Sequence, residues 1–420
     1  MKKLMDQSSI IIGGGIAGLS TALALAHKGI ASTVIEKCQQ LEAVGAGIQL
    51  TPNATCILAQ WKILNKLTQM GTIPSFLELR DGLSLKTRLR VDLINLSKKD
   101  WKSPYITIHR AALQEVLYNA VIENPFIQYK TGETVISATP KASHSIHIKT
   151  IKTDTSNQTQ KHQLYSTPLL IGCDGVWSTL RKLAPFHEKA DFSGFIAWRA
   201  TAEFENLPKD FRFLIQNMKT ITAWMGPQNH LVVYPIQSSA KLFNFVAITK
   251  GENAKEGWAH QGNKENLKTL FKDWHMQILQ IFDHIDTWSY WPLFQMKQHR
   301  FLGLERQVFV GDSAHATLPF AAQGAAMAIE DAATLAEILS YKDLSLTKAL
   351  SLYEKIRTPR MRAVKKRGDF NRIAYHATGP IAIARNFIMK IRTPESIMSN
   401  LHWLYSYDAM HSIEIYSKNL

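Results

Sequence analysis

Three glycines in Gly13-Gly14-Gly15-Ile16-Ala17-Gly18 stand at the spacing G-x-G-x-x-G, and that spacing suits the handling of phosphates. Gly13 permits a tight turn, Gly15 lets the backbone approach a pyrophosphate, and Gly18 lets a helix pack on the preceding strand, while the helix N-terminus offers N–H groups to the anion. Glu36 follows 21 residues after Gly15, at the end of the next apolar run. A carboxylate there can accept hydrogen bonds from both hydroxyls of an adenosine ribose. In a chain with 22 glycines the string alone is a weak signal, and Glu36 by itself could be a surface residue. Together, in the right setting, they point to an ADP-containing dinucleotide.

That setting must be a strand, a helix and a second strand. The sequence supplies them as Ser8 to Ile12, Ala17 to His27 and Ala31 to Ile35, a βαβ unit. Thr51-Pro52 reads as an N-cap with proline at the first helical position, opening a helix with Ile57, Trp61 and Leu64 on one face. Another helix follows His109-Arg110, with Leu113, Val116, Leu117 and Ala120 inward. From Phe126 to Ile171 the pattern is β, with an exposed hairpin turn between Thr153 and His162. The stretch Asp191 to Trp291 is rich in aromatic and β-branched residues and suits a separate sheet. A strand Val308 to Val310, a helix from about Gln323 to Leu339 and a helical remainder complete the chain. The expected class is α/β. A discontinuous Rossmann-like domain takes residues 1–75, 105–185 and 292–345, an interleaved α+β substrate domain takes 76–104 and 186–291, and a helical C-terminal region takes 346–420.

Composition narrows the partners. Of 420 residues, 45% are hydrophobic and 20% charged, the balance of a globular protein. Cys38, Cys56 and Cys173 form no C-x-x-C pair, so neither a disulfide framework nor a zinc site is expected, and a cytoplasmic setting fits. The net charge of +15 favours anionic small molecules, and no motif for nucleic acid accompanies it. The basic run from Lys355 to Arg372 reads as a solvated helix face. Met1-Lys2-Lys3 before an apolar stretch has the look of a secretory signal, but Asp6 and the glycine string argue against one. No stretch is long and apolar enough for stable membrane insertion.

Gln307-Val308-Phe309-Val310-Gly311-Asp312-Ser313-Ala314-His315, followed by Leu318-Pro319 and Gln323-Gly324, resembles the FAD-dependent aromatic hydroxylases, the class A flavoprotein monooxygenases. The resemblance implies that Asp312 binds the flavin ribitol and that the helix after Gly324 points its positive end at the flavin pyrimidine. Ile171-Gly172-Cys173-Asp174-Gly175 resembles the family's Asp-Gly fingerprint for FAD and NAD(P)H, although Asp174 could simply hold a turn. Arg110 matches the family arginine that reaches the FAD pyrophosphate. Ala17, Ala46, Gly47, Val135, Pro319, Gln323 and Ala325 fall at further FAD-contact positions. The segments Val44 to Asn53, Ala322 to Asp331 and Leu401 to Tyr405 resemble the salicylate hydroxylase branch most. Gln237-Ser238-Ser239 departs from the Arg-Gly-Gly that relatives often carry there.

The fold this resemblance implies is a Rossmann-like FAD-binding domain of the aromatic hydroxylase type with a substrate domain and a helical C-terminus. The activity it implies is hydroxylation of a small phenolic or aromatic acid at the expense of NADH or NADPH and dioxygen, through a flavin C4a-hydroperoxide. No second G-x-G-x-x-G provides a separate dinucleotide domain, as expected for the class. His230 and Tyr234 lie four apart on an expected strand, hence on one face, and are the candidates for lining the ring pocket and moving the phenol proton; a core role for either is the alternative. A homodimer is compatible with the sequence. Two other readings stay open: a hydroxylase of a quinone precursor, and a non-catalytic FAD-binding protein on the same fold.

Overall fold

The computed structural model describes residues 8–40, 46–142, 144–154, 159–184, 188–252 and 260–417. Val44, Gly45, the basic start and the tip of the expected hairpin at 155–158 lie outside the described residues.

The chain opens with β1 (Ser9–Ile12), α1 (Ile16–His27) and β2 (Ser32–Ile35), with β1 and β2 parallel. Both strands are buried along their whole length, which is why they read as unbroken apolar or small-residue runs rather than alternating ones. Next come β3 (Gly47–Leu50), α2 (Pro52–Gln60) and α3 (Leu64–Met70). The single helix expected through Leu64 is thus two, because Lys62 takes the left-handed φ of 59° and turns the chain. Thr51 sits at the N-cap of α2 but does not cap it; its Oγ1 accepts a hydrogen bond from Gln323 Nε2 at 3.1 Å.

The chain continues through β4 (Phe76–Asp81), β5 (Thr87–Asp92), β6 (Ile106–His109), α4 (Arg110–Ile122) and β7 (Ile127–Lys130). Then β8 (Glu133–Lys141), β9 (Ser145–Asp154) and β10 (Thr159–Thr167) form an antiparallel sheet of their own, before β11 (Leu170–Gly172) and α5 (Thr179–Leu183). A run of β12 (Asp191–Glu203), β13 (Thr220–Gly226), β14 (Asn229–Pro235), β15 (Leu242–Lys250), β16 (His260–Gln261) and β17 (Ser289–Gln295) follows, and β18 (Gln307–Phe309) ends the strands. The C-terminal part carries α6 (Gly324–Ser340), α7 (Leu346–Tyr375) and α8 (Gly379–Ile391).

Two sheets matter for the site. The parallel one has the order β18-β11-β1-β2-β7, and its register aligns Phe309, Gly172, Ile12, Ile35 and Lys130 in one row at the carboxyl ends. The second has eight strands, β16-β17-β12-β15-β14-β13-β4-β5, antiparallel except where β13 meets β4. One of its faces packs against short helices around Phe211, Leu267 and Phe282, through Trp224, Leu231, Phe243 and Phe245. Its other face carries Ala197, Arg199, His230, Val232, Tyr234, Asn244, Val246 and Ile248 by strand alternation. Ile221, Ala223, Met225 and Tyr234 from that face join the core that surrounds the parallel sheet, so the two sheets are built around shared apolar contacts.

The basic run on α7 keeps Lys355, Arg362 and Lys366 exposed, as expected of a solvated face, but two of its members depart from that expectation. Arg357 and Arg360 are buried, and both point at α6. Arg357 Nε donates to Asp331 Oδ1 at 2.6 Å, Arg357 Nη1 lies 2.9 Å from Glu330 Oε2, and Arg360 Nη2 lies 2.7 Å from Glu330 Oε1. Charges that would be costly to bury singly are here buried in pairs.

Candidate functional site

The row of strand ends in the parallel sheet determines where chemistry can occur, because each strand delivers its next residues to one crevice. After Ile12 comes Gly13, whose φ of +104° and contact with the Cys173 carbonyl leave no room for a Cβ. Gly15 is different: a Cβ built there meets no heavy atom within 4 Å. It is the N-cap of α1 and offers no side-chain acceptor, so the first N–H groups of α1 face open space. Ala17 lies in the first turn. Gly18 abuts the Gly13 carbonyl, which fixes the helix on the turn.

Glu36 follows β2. Its Oε2 accepts from Gly14 N–H at 2.5 Å and its Oε1 from Cys38 N–H at 2.9 Å, so the carboxylate braces the glycine turn and remains half-exposed at the crevice. Glu133 N–H donates to the Glu36 carbonyl at 3.1 Å, which brings β8 and buried Val135 to this end of the crevice.

Asp312 follows β18 through Gly311, whose φ is +68° and which is wedged between Ala17 and Ala328. Asp331 Oδ2 holds the Gly311 N–H at 2.9 Å and lies 2.6 Å from His315 Nε2. The Asp312 side chain stays open to solvent, yet the surrounding protein raises its carboxyl; His315 and Arg110 oppose that rise. Arg110 opens α4, a position where the helix dipole disfavours a cation. Burial lowers its affinity for a proton while Asp312 sustains it. Its backbone N–H binds the Ala46 carbonyl at 3.1 Å, and Gly47 beside it donates to Asn244 Oδ1 at 2.7 Å, with no space for a side chain against Ile236.

α6 closes the crevice. Its N-cap, Gln323, makes no capping bond to the helix; its amide reaches back to Thr51 Oγ1 and accepts from Asn53 Nδ2 at 3.0 Å. Gly324 meets nothing within 4 Å of a built Cβ, and Ala325 follows. Two helix N-termini, those of α1 and α6, therefore open without side-chain acceptors onto glycine-floored space. This arrangement fits an anionic dinucleotide carrying a ring that bears negative charge. Pro319, exposed, opens the short turn that leads into α6 and carries buried Phe320.

Asp174 is otherwise occupied. Its Oδ1 accepts from Ser178 Oγ at 2.6 Å and its Oδ2 from Leu180 N–H at 3.0 Å, so its carboxylate holds the turn into α5. Burial raises it, and those hydrogen bonds offset part of the rise.

His230 and Tyr234 share one face of β14, and their surroundings differ. His230 Nδ1 lies 2.7 Å from His376 Nε2, and Phe320 and Tyr375 pack on its ring at 5.5 and 5.2 Å. Burial holds His230 well below the usual imidazole range, with His376 adding to the effect; His376 is itself brought down to about 4, chiefly by burial and then by Arg372 and Lys250. The pair is neutral at pH 7 and shares one proton in its hydrogen bond. Tyr234 is buried, and its phenol is pushed up to about 12 by desolvation, against the pull of Arg199 and of hydrogen bonds with Gln49 and Asn244. Gln49 also accepts from Tyr105 at 2.6 Å.

Between these groups the sheet face is incompletely covered. Val232 and Val246 are paired on the central strands β14 and β15, yet both are only half-buried. Arg199 on β12 borders them, with its guanidinium 5.0 Å from the Trp291 ring and its buried Nε lacking a hydrogen-bond partner. Among the described residues no carboxylate pairs with it. Arg199, Tyr105, Asn244 and His376 were not singled out in the sequence. Strand register or the end of α7 brings them in from distant positions.

The chain matches the sequence model of the family described as FAD binding domain over residues 6–367. It is 29% identical over 415 residues to 3-hydroxybenzoate 6-hydroxylase of Klebsiella oxytoca, covering 99% of this chain and 100% of that one. It is 31% identical over 403 residues to 3-hydroxybenzoate 6-hydroxylase 1 of Aquipseudomonas alcaligenes, covering 96% and 98%. Among solved structures, Klebsiella pneumoniae HpxO complexed with FAD and uric acid superposes with a TM-score of 0.78 at 22% identity, covering 97% of each chain. A salicylate hydroxylase substrate complex does so with a TM-score of 0.78 at 18% identity, covering 98% of each. These two structures establish likeness of fold, and the sequence matches reach further: the chain belongs to the FAD-dependent aromatic-ring hydroxylases, the class A flavoprotein monooxygenases.

Proposed function

We propose that this monooxygenase hydroxylates a small aromatic acid bearing a phenolic hydroxyl, of the hydroxybenzoate or salicylate kind, using NADH or NADPH. The observation that carries the proposal is Arg199: a cation with a buried, unpartnered Nε, set beside half-exposed Val232 and Val246 on the face that also carries His230, Tyr234 and Asn244. Such a group is costly unless an anion completes it, and a carboxylate matches its fork. The relatives' substrate, 3-hydroxybenzoate, has that carboxylate.

The chain's residues divide the work. The N–H groups at the start of α1 and Arg110 would hold the FAD pyrophosphate, Glu36 the ribose, Asp312 the ribitol, and the N-terminus of α6 the negative charge on the ring system. When bound, FAD supplies the redox and oxygen chemistry. Tyr234 would accept a hydrogen bond from the substrate hydroxyl or donate one to its phenolate, with Gln49 and Tyr105 as the onward chain. The His230–His376 pair, walled by Phe320 and Tyr375, would position this end of the pocket and exclude water. The division into a discontinuous FAD domain and an interleaved substrate domain, and a reducing cytoplasmic setting for Cys38, Cys56 and Cys173, belong to the same proposal.

The test is a panel of hydroxybenzoates, with NAD(P)H consumption, product and peroxide measured together. Stimulation by a phenolic acid with product matching NAD(P)H consumed is expected. Stimulation only by uncharged or lipidic phenols would overturn the role given to Arg199.

A further inference from the structure

Two chains of polar groups lead away from the sheet face that carries His230 and Tyr234, and they end differently. The first runs from Tyr234 through Gln49 to Tyr105, whose hydroxyl donates to Gln49 Oε1 at 2.6 Å. It stops inside the protein, because Tyr105 is 2% exposed and the Gln49 amide does not titrate. The second is shorter. His230 is 3% exposed, its Nδ1 lies 2.7 Å from His376 Nε2, and His376 is only half-buried. Of the two, the second is the one that leads a proton from the buried face to water.

Packing holds this second chain in place. His376 caps α7, its N–H bonding the Arg372 carbonyl at 3.1 Å, and Gln228 N–H, in the turn before β14, reaches its carbonyl at 3.4 Å. Phe195 of β12 lies 5.7 Å from the His376 ring and Phe320 lies 5.5 Å from it. Asn371 Nδ2 donates to the Phe320 carbonyl at 2.9 Å, which ties the end of α7 to the turn that leads into α6. Apolar side chains among Phe195, Phe320 and Tyr375 would fill this space without desolvating polar groups, so packing alone does not account for two imidazoles.

The charges around the outer ring favour passage over storage. Burial, and after it the cations of Arg372 and Lys250, disfavours an imidazolium at His376. Among the described residues no carboxylate pairs with either ring. A proton that arrives at His376 therefore leaves for solvent.

We propose that His376 is a positioning residue that relays the phenol proton of the substrate from His230 to water. The inference rests on the reading of the site given above, in which the substrate hydroxyl lies on this sheet face. At the start each ring carries its proton on Nδ1. The substrate O–H bond breaks as His230 Nε2 takes the proton, His230 Nδ1 passes its own to His376 Nε2, and His376 Nδ1 releases one to water. Both rings end neutral with their tautomers exchanged, and Tyr234 is left to donate a hydrogen bond to the phenolate. The path runs inward when the product oxygen is reprotonated, which restores the starting tautomers.

The experiment mixes the FAD-loaded enzyme with 3-hydroxybenzoate in weakly buffered solution containing a pH indicator, and follows both the flavin spectrum and the proton released. In the wild type a proton should appear in solution as the acid binds. His376→Gln should slow that release about a hundredfold, the low end for a positioned proton-transfer group, with FAD content and affinity for the acid little changed. His376→Gly should be equally slow and should be rescued by added imidazole but not by pyrazole, which has the same shape and is a far weaker base. Release at the wild-type rate in His376→Gln, or equal rescue by imidazole and pyrazole, overturns the relay while leaving the substrate reading intact. If neither 3-hydroxybenzoate nor any other hydroxybenzoate perturbs the flavin, the relay falls together with that reading.

Discussion

Glu330 and Asp331 of α6 meet Arg357 and Arg360 of α7, and Arg199 lies on a face of the eight-stranded sheet; the two regions treat charge in opposite ways. Under α6 each charge has a partner. Glu330 accepts from Asn53 and Arg360 and lies against Arg357, while Asp331 holds Gly311 N–H, His315 and Arg357. The pairing is strong enough to keep Asp331 near 2 despite its burial. Arg199 has a buried Nε with no partner and borders half-buried valines. A closed network fixes a scaffold, while an incomplete one waits for a ligand. Asn53 ties the first region to the crevice, since its amide bonds both Glu330 and Gln323.

The sharpest way to break this contrast is to remove one member of the closed network. Arg357→Leu leaves two buried carboxylates under-compensated and should cost about 3–5 kcal/mol, read from the denaturant midpoint. A loss below about 1 kcal/mol would mean that the network is not a scaffold. Asp312→Ala should leave the fold intact and weaken FAD by about 2 kcal/mol, or roughly thirtyfold in Kd, measured by flavin release. Unchanged retention would remove Asp312 from the cofactor site.

Arg199→Gln should leave stability within about 0.5 kcal/mol, because no internal partner is orphaned. It should raise KM for the aromatic acid on the order of tenfold, with FAD retained and an uncharged phenol unaffected. Equal loss for charged and uncharged substrates would make Arg199 a packing residue. The smallest effect is expected at the imidazole pair. His376 is held at about 4 in the fold against 6.5 ordinarily, so between those values the unfolded chain takes up a proton that the folded chain refuses. Stability should therefore be constant well above pH 6.5 and fall by about 1 kcal/mol as pH drops to about 5.5. His376→Gln should remove that part of the slope, and an identical slope in the variant would place the titration elsewhere.

The crevice proposed for the cofactor was legible in the sequence because its geometric requirements are local. A positive φ at Gly13, open space at Gly15 and a carboxylate at the end of β2 are each enforced within a few residues of a strand end. Two members of the basic run on α7, Arg357 and Arg360, were misread for the opposite reason: helical spacing displays cations without showing that Glu330 and Asp331 wait on another helix. Arg199 is one of 49 cations, and what distinguishes it is the lack of an acid around it, which only strand register discloses. Thr51 shows the same limit on a smaller scale, since its sequence context announces a cap while its hydroxyl serves Gln323.

The open helix ends at Gly15 and Gly324 have a consequence for the life of the polypeptide before it meets its cofactor. Their first N–H groups have no side-chain cap, so on the proposed placement FAD would act as a ligand of the native state and not merely as a reagent held by it. At free FAD one hundred times the Kd, such linkage adds about 2.7 kcal/mol to stability. Newly made chains in a flavin-starved cell would lack that increment and spend more time open to proteases, so the amount of this enzyme would follow flavin supply even at constant synthesis.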